Sequence, residues 1–282
     1  MQQSHDRYVV VGNPIEHSRS PEIHQAFAAQ FGEAIRYDKV LVEPGEFASF
    51  ADQFAAAGGR GMNVTVPFKV DAFVYVEKRD ALAESAGAVN TIAFTGNSSH
   101  GFNTDGIGLM NDLSQRYNVN LSNKTVVLLG AGGAALGVVK PLLEANPAKL
   151  IVANRTLENA QALVARHQAQ LGKDAPIYAQ RLDELSAPSD VFINATSTGL
   201  YGTGAFIDAN LVRGAFCYDM SYGNAAEFCR WASASGARQS VDGLGMLVEQ
   251  AAEAYYLWRG KRPLTQPVVD QLRAGLGQAD EL

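Results

Sequence analysis

The feature that most constrains this 282-residue chain is a glycine-rich segment directly after a short apolar run. Residues Thr125 to Leu129 predict a buried strand, and a predicted helix to about Ala145 follows the glycines. The segment itself is Gly130-Ala131-Gly132-Gly133-Ala134. Glycines at such a turn let the backbone approach a pyrophosphate at the start of a helix. Since Leu150 to Ala153 predicts a second strand soon afterwards, the pattern indicates a dinucleotide-binding unit.

The residues after that second strand indicate which dinucleotide is bound. An NAD site usually has Asp or Glu there, which binds the ribose hydroxyls. This chain has Asn154-Arg155-Thr156 instead, with no carboxylate to repel a 2′-phosphate and a guanidinium that can pair with it. We therefore expect NADP(H) as the cofactor. Asn194-Ala195-Thr196-Ser197 ends a later predicted strand, and we expect it to pass close to the same cofactor.

Strand-like and helix-like segments alternate along the rest of the chain, which predicts an α/β fold. Ser20-Pro21 predicts a helix N-cap followed by Pro at the first helical position, and Gly245 to Trp258 predicts a long amphipathic helix. The predicted strands before the glycine-rich segment are Tyr8 to Val11, Tyr37 to Val42, Gly61 to Val66 and Val89 to Phe94, with a turn at Gly96-Asn97 after the last.

This pattern predicts two domains. Residues 1–107 and 243–282 form an N-terminal domain with an open, mostly parallel α/β sheet, on which the C-terminal helices pack back. Residues 108–242 form a doubly wound, Rossmann-type domain that binds NADP.

The composition excludes several classes of partner. Asp and Glu number 29 against 23 Lys and Arg, and the formal charge of −6 argues against nucleic acid or an anionic membrane. No run of apolar residues is long enough to span a membrane. The two cysteines, Cys217 and Cys229, do not make a disulfide framework, so we expect a reducing, cytoplasmic location. A small molecule is the expected partner.

Polar side chains gather near the ends of predicted strands in the first domain, where α/β folds place ligands. They are Ser18, Ser20, Asn63, Thr65, Lys69, Asn90 and the run Asn103-Thr104-Asp105-Gly106. Each alone is also an ordinary turn or surface residue, but together they predict a polar substrate pocket. No Tyr is followed four residues later by Lys, which excludes the short-chain dehydrogenase pair. His17 and His24 are separated by Pro21, so a metal shared between them is not expected.

Several segments are distinctive in combination. Besides the glycine-rich segment, they are Gly12-Asn13-Pro14-Ile15-Glu16-His17-Ser18-Arg19-Ser20-Pro21-Glu22-Ile23-His24, Asn63-Val64-Thr65-Val66-Pro67-Phe68-Lys69, Gly87-Ala88-Val89-Asn90-Thr91, Asn103-Thr104-Asp105-Gly106, Asn154-Arg155-Thr156, Tyr218-Asp219-Met220 and Asp242-Gly243-Leu244-Gly245-Met246-Leu247-Val248-Glu249-Gln250-Ala251. Together they closely resemble the shikimate dehydrogenase family, and the similarity covers about residues 8 to 260.

The resemblance implies reversible reduction of 3-dehydroshikimate to shikimate with NADPH, in the pathway to chorismate and the aromatic amino acids. It implies that Lys69 and Asp105 are the catalytic acid/base pair, and that the first domain binds the substrate. Ser18 and Ser20, with help from Tyr222, would bind the substrate carboxylate. Ring hydroxyls would be held by Asn63, Thr65, Asn90 and Gln250. Met220 and Gly243 would lie along the nicotinamide. A monomer or a homodimer is expected.

Two other functions remain open from the sequence. A quinate or quinate/shikimate dehydrogenase of the same fold often has threonine in place of a pocket serine, and Asp where Asn154 stands. A catalytically silent, NADP-binding sensor would be expected to lose Lys69 or Asp105. This chain has neither of the two changes expected of a quinate dehydrogenase, and it keeps both Lys69 and Asp105.

Overall fold

The computed structural model describes residues 5–96, 98–196 and 207–279. Asn97 of the predicted turn and Ser197 of the segment expected near the cofactor lie outside these residues. The chain divides into two compact units, one formed by Met1–Gly108 with Val248–Leu282 and the other by Leu109–Leu247.

The first unit begins with alternating strands and helices. In chain order these are β1 (Asp6–Gly12), α1 (Ser20–Gln30), β2 (Ile35–Leu41), α2 (Phe47–Ala56), β3 (Gly59–Val64), α3 (Lys69–Tyr75), β4 (Lys78–Arg79), α4 (Ala81–Ala86), β5 (Thr91–Thr95), β6 (Ser98–Phe102) and α5 (Asp105–Asn111). The chain continues from α5 into a π-helical turn, Asp112–Arg116.

The sheet of this unit has the strand order β2-β1-β3-β5-β6-β4 among the described residues. Strand β1 pairs in parallel with β2 and β3, while β5 runs antiparallel to both β3 and β6. Val9, Val10 and Val11 of β1 are all buried, as expected of a central strand covered on both faces. One face packs on Phe47, Ala51 and other apolar residues of α2. The prediction of an open, mostly parallel α/β sheet is confirmed.

The C-terminal helices α11 (Leu244–Arg259) and α12 (Gln266–Ala279) complete this unit, which takes up the chain again at Val248. The Trp258 indole N–H donates to the carbonyl of Ile92 in β5 at 3.0 Å, and its ring stacks on Tyr8 of β1. The prediction that the C-terminal helices pack back on the first domain is therefore confirmed.

The second unit has a parallel sheet flanked by helices. Its elements are β7 (Thr125–Leu129), α6 (Gly133–Leu136), α7 (Val139–Glu144), β8 (Lys149–Asn154), α8 (Leu157–Leu171), β9 (Ile177–Arg181), β10 (Val191–Asn194), α9 (Ala209–Val212), β11 (Phe216–Asp219), α10 (Glu227–Ala234) and β12 (Gln239–Asp242).

The strand order of this second sheet is β12-β11-β10-β7-β8-β9, and the described pairs are all parallel. The chain moves outward from β7 to β8 and β9, then returns to the other side of β7 with β10. This reversal between β7 and β10 is the switch point of a doubly wound sheet, where such folds bind nucleotides outside the carboxyl ends of the strands. The prediction of a Rossmann-type fold is confirmed.

Two local predictions differ from the structure in more than the exact bounds of an element. The N-cap of α1 is Arg19, so Ser20 is already the first helical residue and its hydroxyl makes no cap. The single helix predicted after the glycines is broken between Leu136 and Val139 into α6 and α7. Pro141 explains the break, because a proline has no N–H to donate and fits best in the first turn of a new helix.

Candidate active site

Lys69 and Asp105 lie at the starts of two helices of the first unit and form an ion pair. The Lys69 Nζ is 2.5 Å from the Asp105 Oδ2, and the two side chains are 16% and 10% exposed. The backbone of Lys69 is anchored by a hydrogen bond from the Val89 N–H, while the Asp105 N–H donates to the Asn103 Oδ1. The pair is thus held from both sides in a site that water reaches only in part.

Asn90, just before β5, holds the Asp105 carboxylate from the other side. Its Nδ2 donates to Asp105 Oδ1 at 2.8 Å, and its Oδ1 accepts the Thr104 backbone N–H at 2.9 Å. Gln250 of α11 also points here, with its Oε1 3.5 Å from Asn90 Nδ2 and 3.4 Å from Thr104 Oγ1. The structure therefore brings four predicted residues, Lys69, Asp105, Asn90 and Gln250, into one cluster.

The two predicted serines lie together at the start of α1. The Ser18 hydroxyl donates to the Ser20 hydroxyl at 3.2 Å, and the Ser20 N–H donates back to Ser18 Oγ at 3.3 Å. Ser20 is buried and Ser18 half-buried.

Asn63 and Thr65 lie on and just after β3, and they differ in what their side chains can still bind. Asn63 is buried, with its Oδ1 accepting from the Tyr37 hydroxyl at 2.6 Å and its Nδ2 donating to Thr91 Oγ1 at 3.0 Å. Thr65 is half-buried, and its methyl group lies against Gly12. Direct contact of either residue with a substrate stays a prediction.

In the second unit, the glycine-rich turn connects β7 to α6 at the carboxyl edge of the sheet. Gly130 has a φ of 106°, and a Cβ there would lie 2.9 Å from Thr196 Cγ2, so the turn requires glycine at this position. A Cβ on Gly132 or Gly133 would instead meet no atom within 4 Å. Ala131 and Ala134 are half-buried beside this open strip of backbone, which leaves room for a pyrophosphate.

The Asn154-Arg155-Thr156 segment follows β8, the strand next to β7. Asn154 Nδ2 donates to the Thr156 carbonyl at 2.8 Å, which closes the turn, and Thr156 is the N-cap of α8. Arg155 is exposed at the tip. Because adjacent parallel strands end at the same edge, this cation and the glycine turn lie on the edge where an adenosine 2′-phosphate would be bound.

Met220 and Gly243 come together at the ends of β11 and β12. A Cβ on Gly243 would lie 2.5 Å from the Met220 carbonyl oxygen, and the Gly243 N–H donates to the Ser221 carbonyl at 2.8 Å. Tyr222, in the same loop, is half-buried. The two residues predicted to line the nicotinamide thus form one packed corner of the second unit.

Three buried residues support these sites although sequence reasoning did not assign them a role. Tyr37 and Thr91 contact Asn63, and Asp219 receives hydrogen bonds from Asn194 Nδ2 and from the Ser221 and Cys229 N–H groups. Burial raises the pKa of Asp219, while these donors act to lower it. Thr91 and Asp219 stand inside recognised motifs, but nothing in the sequence singles out Tyr37.

Among residues 5–96, 98–196 and 207–279, no group of three or more His, Cys, Asp or Glu side chains is arranged to hold a metal ion. Within the same ranges, no helix is long and apolar enough to cross a membrane.

Three family profiles match the chain in sequence. They are the shikimate dehydrogenase substrate binding domain at residues 10–92, shikimate/quinate 5-dehydrogenase at residues 112–203 and the shikimate 5′-dehydrogenase C-terminal domain at residues 243–273. The chain belongs to the shikimate dehydrogenase family. Shikimate dehydrogenases are oxidoreductases. The matched segments include Asn63 and Gln250.

Individual relatives agree with this assignment. The shikimate dehydrogenase (NADP(+)) of Alkalilimnicola ehrlichii is 48% identical over 270 residues, which cover 95% of this chain and 98% of the relative. Among solved structures, an Ael1 enzyme from Pseudomonas putida superimposes with a TM-score of 0.86 at 39% identity, covering 95% of this chain and 98% of that one.

A second similar solved structure was determined with ligands bound. The shikimate 5-dehydrogenase of Thermus thermophilus, in complex with NADP(H) and shikimate, has a TM-score of 0.84 at 28% identity and covers 95% of this chain and 99% of its own.

Proposed function

We propose that this chain catalyses the reversible NADPH-dependent reduction of 3-dehydroshikimate to shikimate, with Lys69 and Asp105 as the acid/base pair. The observation that carries the proposal is the 2.5 Å contact between the Lys69 ammonium and the Asp105 carboxylate, with Asn90 on the other carboxylate oxygen. Two similar proteins support this reaction. The Alkalilimnicola ehrlichii relative is named as an NADP(+) enzyme, and the Thermus thermophilus structure contains NADP(H) and shikimate.

For this reaction the protein must supply a proton to the carbonyl oxygen and hold the substrate ring in a fixed orientation. NADPH, when bound, supplies the hydride. Lys69 donates a proton to the developing alkoxide and stabilises its charge, and Asp105 orients the ammonium and accepts a hydrogen bond from the substrate. In the reverse direction Lys69 removes the proton from the hydroxyl.

The other residues of the first unit would bind the substrate. Ser18 and Ser20, with Tyr222 contributing, would bind the carboxylate of the ring, and Thr65, Asn63, Asn90 and Gln250 would hold its hydroxyls. This makes residues 1–107 and 243–282 the substrate-binding and catalytic domain and residues 108–242 the NADP domain. The family profile named for substrate binding, at residues 10–92, supports the division.

The cofactor would be held at the carboxyl edge of the second sheet. The turn Gly130-Ala131-Gly132-Gly133-Ala134 would lie against the pyrophosphate, where the open strip over Gly132 and Gly133 fits a phosphate group. Asn154, Arg155 and Thr156 would bind the 2′-phosphate end, and Met220 and Gly243 would contact the nicotinamide.

The setting of the reaction is part of the same proposal. We infer a place in the pathway to chorismate and the aromatic amino acids, in the cytoplasm, with the chain acting as a monomer or a homodimer. Light scattering on the purified protein distinguishes these two assemblies.

A Lys69→Met variant tests the assignment of the acid/base pair. We expect kcat for shikimate oxidation with NADP to fall by at least about 100-fold, since a positioned acid/base group contributes about that much or more. Binding of NADPH, measured by fluorescence titration, should be unchanged. The matched control is Lys78→Met, which removes an exposed lysine of β4. Equal kcat values in the two variants would rule out the proposed role of Lys69.

A further inference from the structure

We propose that a buried chain of hydrogen bonds beneath the substrate site positions Asn90 and Asp105, which makes Tyr37 and Thr91 positioning residues of the reaction. The inference rests on the proposed function. The series runs, in order, through Tyr37, Asn63, Thr91, Asn90 and Asp105.

The first half of this series of hydrogen bonds crosses the sheet. Tyr37 donates to Asn63 Oδ1 at 2.6 Å. Tyr37 is on β2 and Asn63 on β3, and the two strands lie on opposite sides of β1. The Tyr37 hydroxyl therefore spans the width of β1 to reach the amide.

The second half runs from Asn63 to the catalytic carboxylate. Asn63 Nδ2 donates to Thr91 Oγ1 at 3.0 Å, and Thr91 donates to Asn90 Oδ1 at 3.1 Å. Asn90 Nδ2 then donates to Asp105 Oδ1 at 2.8 Å, and Lys69 closes the series on the other carboxylate oxygen. Tyr37 is thereby linked to the acid/base pair through protein atoms alone.

Backbone groups fix the direction of the hydrogen bonds. The Asn90 Oδ1 accepts the Thr104 N–H, so its Nδ2 must face Asp105. The Asn63 Nδ2 lies 3.4 Å from the Asn90 carbonyl, which can only accept, so the Asn63 Oδ1 must face Tyr37. Tyr37 then has to donate to Asn63. The Thr91 hydroxyl accepts from Asn63 and donates to Asn90, so the series has a single polarity.

The residues of the series are buried, so an unmade hydrogen bond there is costly. Thr91 is fully buried, and Tyr37, Asn63 and Asn90 are nearly so. Burial raises the pKa of Tyr37 well above its ordinary value, which keeps its hydroxyl protonated as a donor. His24 stacks on the Tyr37 ring at 4.4 Å, and burial lowers its pKa to about 3, so the ring beside the series is uncharged.

The series orients groups and does not conduct protons. The two amides, Asn63 and Asn90, cannot accept a proton on oxygen and release one from nitrogen at low cost, so a proton cannot pass through them. What the hydrogen bonds do is hold the Asn90 amide, and through it the Asp105 carboxylate, in one orientation. Asn63 then contributes to the orientation of Asp105 through its hydrogen bonds with Thr91 and Tyr37, whether or not it contacts the substrate.

Tyr37→Phe removes one hydroxyl from the start of the series and keeps the ring. We expect kcat for shikimate oxidation to fall about tenfold, because one or two buried polar groups lose a partner, while the KM for NADP is unchanged. The matched control is Tyr8→Phe: Tyr8 pairs with Tyr37 across β1 and β2, is equally buried, and contacts Arg259 instead of the series. Equal kcat values for the two variants would overturn the proposal.

Thr91 provides a second, independent test. Thr91→Val removes the hydroxyl at nearly constant shape and should lower kcat about tenfold, whereas Thr91→Ser keeps the hydroxyl and should retain most of the wild-type kcat. The Tyr37→Phe/Thr91→Val double variant should be about as slow as the slower single variant, because both break the same series.

Several results would overturn the inference, and they are distinct from failure of the proposed function. Equal losses in Thr91→Val and Thr91→Ser would mean that packing matters and the hydroxyl does not. Multiplying losses in the double variant would mean that the two residues act separately. If Tyr37→Phe does not fold, the Thr91 pair decides alone. If the wild-type protein itself does not oxidise shikimate with NADP, the proposed function fails first.

Discussion

Among single residues, Asn90 and its neighbours show how polar groups in this chain are used. The Asn90 amide contacts Asp105, Thr104 and Thr91, so both of its ends are bound to protein. His24 is the contrasting case, a buried imidazole held among the rings of Phe27, Tyr37, Tyr255 and Trp258. Its burial has a consequence for stability at low pH.

We expect the free energy of unfolding to depend on pH through His24. Burial lowers its pKa from 6.5 to about 3 in the folded protein. Well above pH 6.5 the imidazole is neutral in both the folded and the unfolded state, so it adds no pH dependence to the free energy of unfolding. As the pH falls from 6.5 toward 3, the unfolded chain takes up a proton that the folded protein does not, and the free energy of unfolding drops by up to about 1.4 kcal/mol per pH unit.

Urea unfolding of the wild type and of His24→Phe between pH 7 and pH 4 measures this effect. The free energy of unfolding of the wild type should fall more steeply than that of His24→Phe. The exposed His17→Asn variant serves as the control and should follow the wild type. Parallel curves for the wild type and His24→Phe would contradict the burial of a neutral His24.

At the residue scale, the sequence was informative about which residues gather and silent about how they bond. Lys69, Asp105 and Asn90 were predicted to share one site because each lies near the end of a predicted strand, and Gln250 was added only by the family resemblance. All four do lie together. That Tyr37 would bond Asn63 could not be predicted, since the contact joins strands on either side of β1 and leaves no local pattern.

At the scale of elements, buried parallel strands were predictable and polar strands were not. β7 was predicted with its observed bounds because five consecutive apolar or β-branched residues end at a glycine. β6, with the sequence SSHGF, has no such run and was missed. It forms because it pairs antiparallel with β5, and this tertiary contact overrides the local preference.

Arg155, in the turn after β8, allows a test of which cofactor the protein prefers. Arg155→Ala should raise the KM for NADP about tenfold or more, because an arginine–phosphate contact is a charge-assisted bond of about 1.5 to 3 kcal/mol. The KM for NAD, which has no 2′-phosphate, should change little. Initial rates at varied cofactor concentration measure both values.

The control for this test is Arg213→Ala, which removes an exposed arginine after α9 in the same unit. It should leave both Michaelis constants unchanged. A similar rise for NADP and NAD in the Arg155 variant would mean that this residue supports the turn and does not select the cofactor.

At the scale of the whole molecule, the proposed reaction would use one α/β unit for substrate binding and catalysis and the other for binding NADP. The first holds the Lys69–Asp105 pair and the polar groups around it, and the second has the doubly wound sheet with its open glycine turn. The alternation of strands and helices was enough to predict both sheets. The identity of the substrate came from the family resemblance, because polar residues at strand ends suit many hydroxylated rings.

Initial rates of the purified wild-type protein with the four combinations of shikimate or quinate and NADP or NAD test the central claim most directly. We predict that kcat/KM is highest for shikimate with NADP. It should be at least about tenfold lower with NAD, because NAD has no 2′-phosphate and cannot make the phosphate contact. Quinate should be a poor substrate with either cofactor, since its extra hydroxyl lies on the carbon that bears the carboxylate. No turnover of shikimate with NADP, or faster turnover of quinate, would contradict the account.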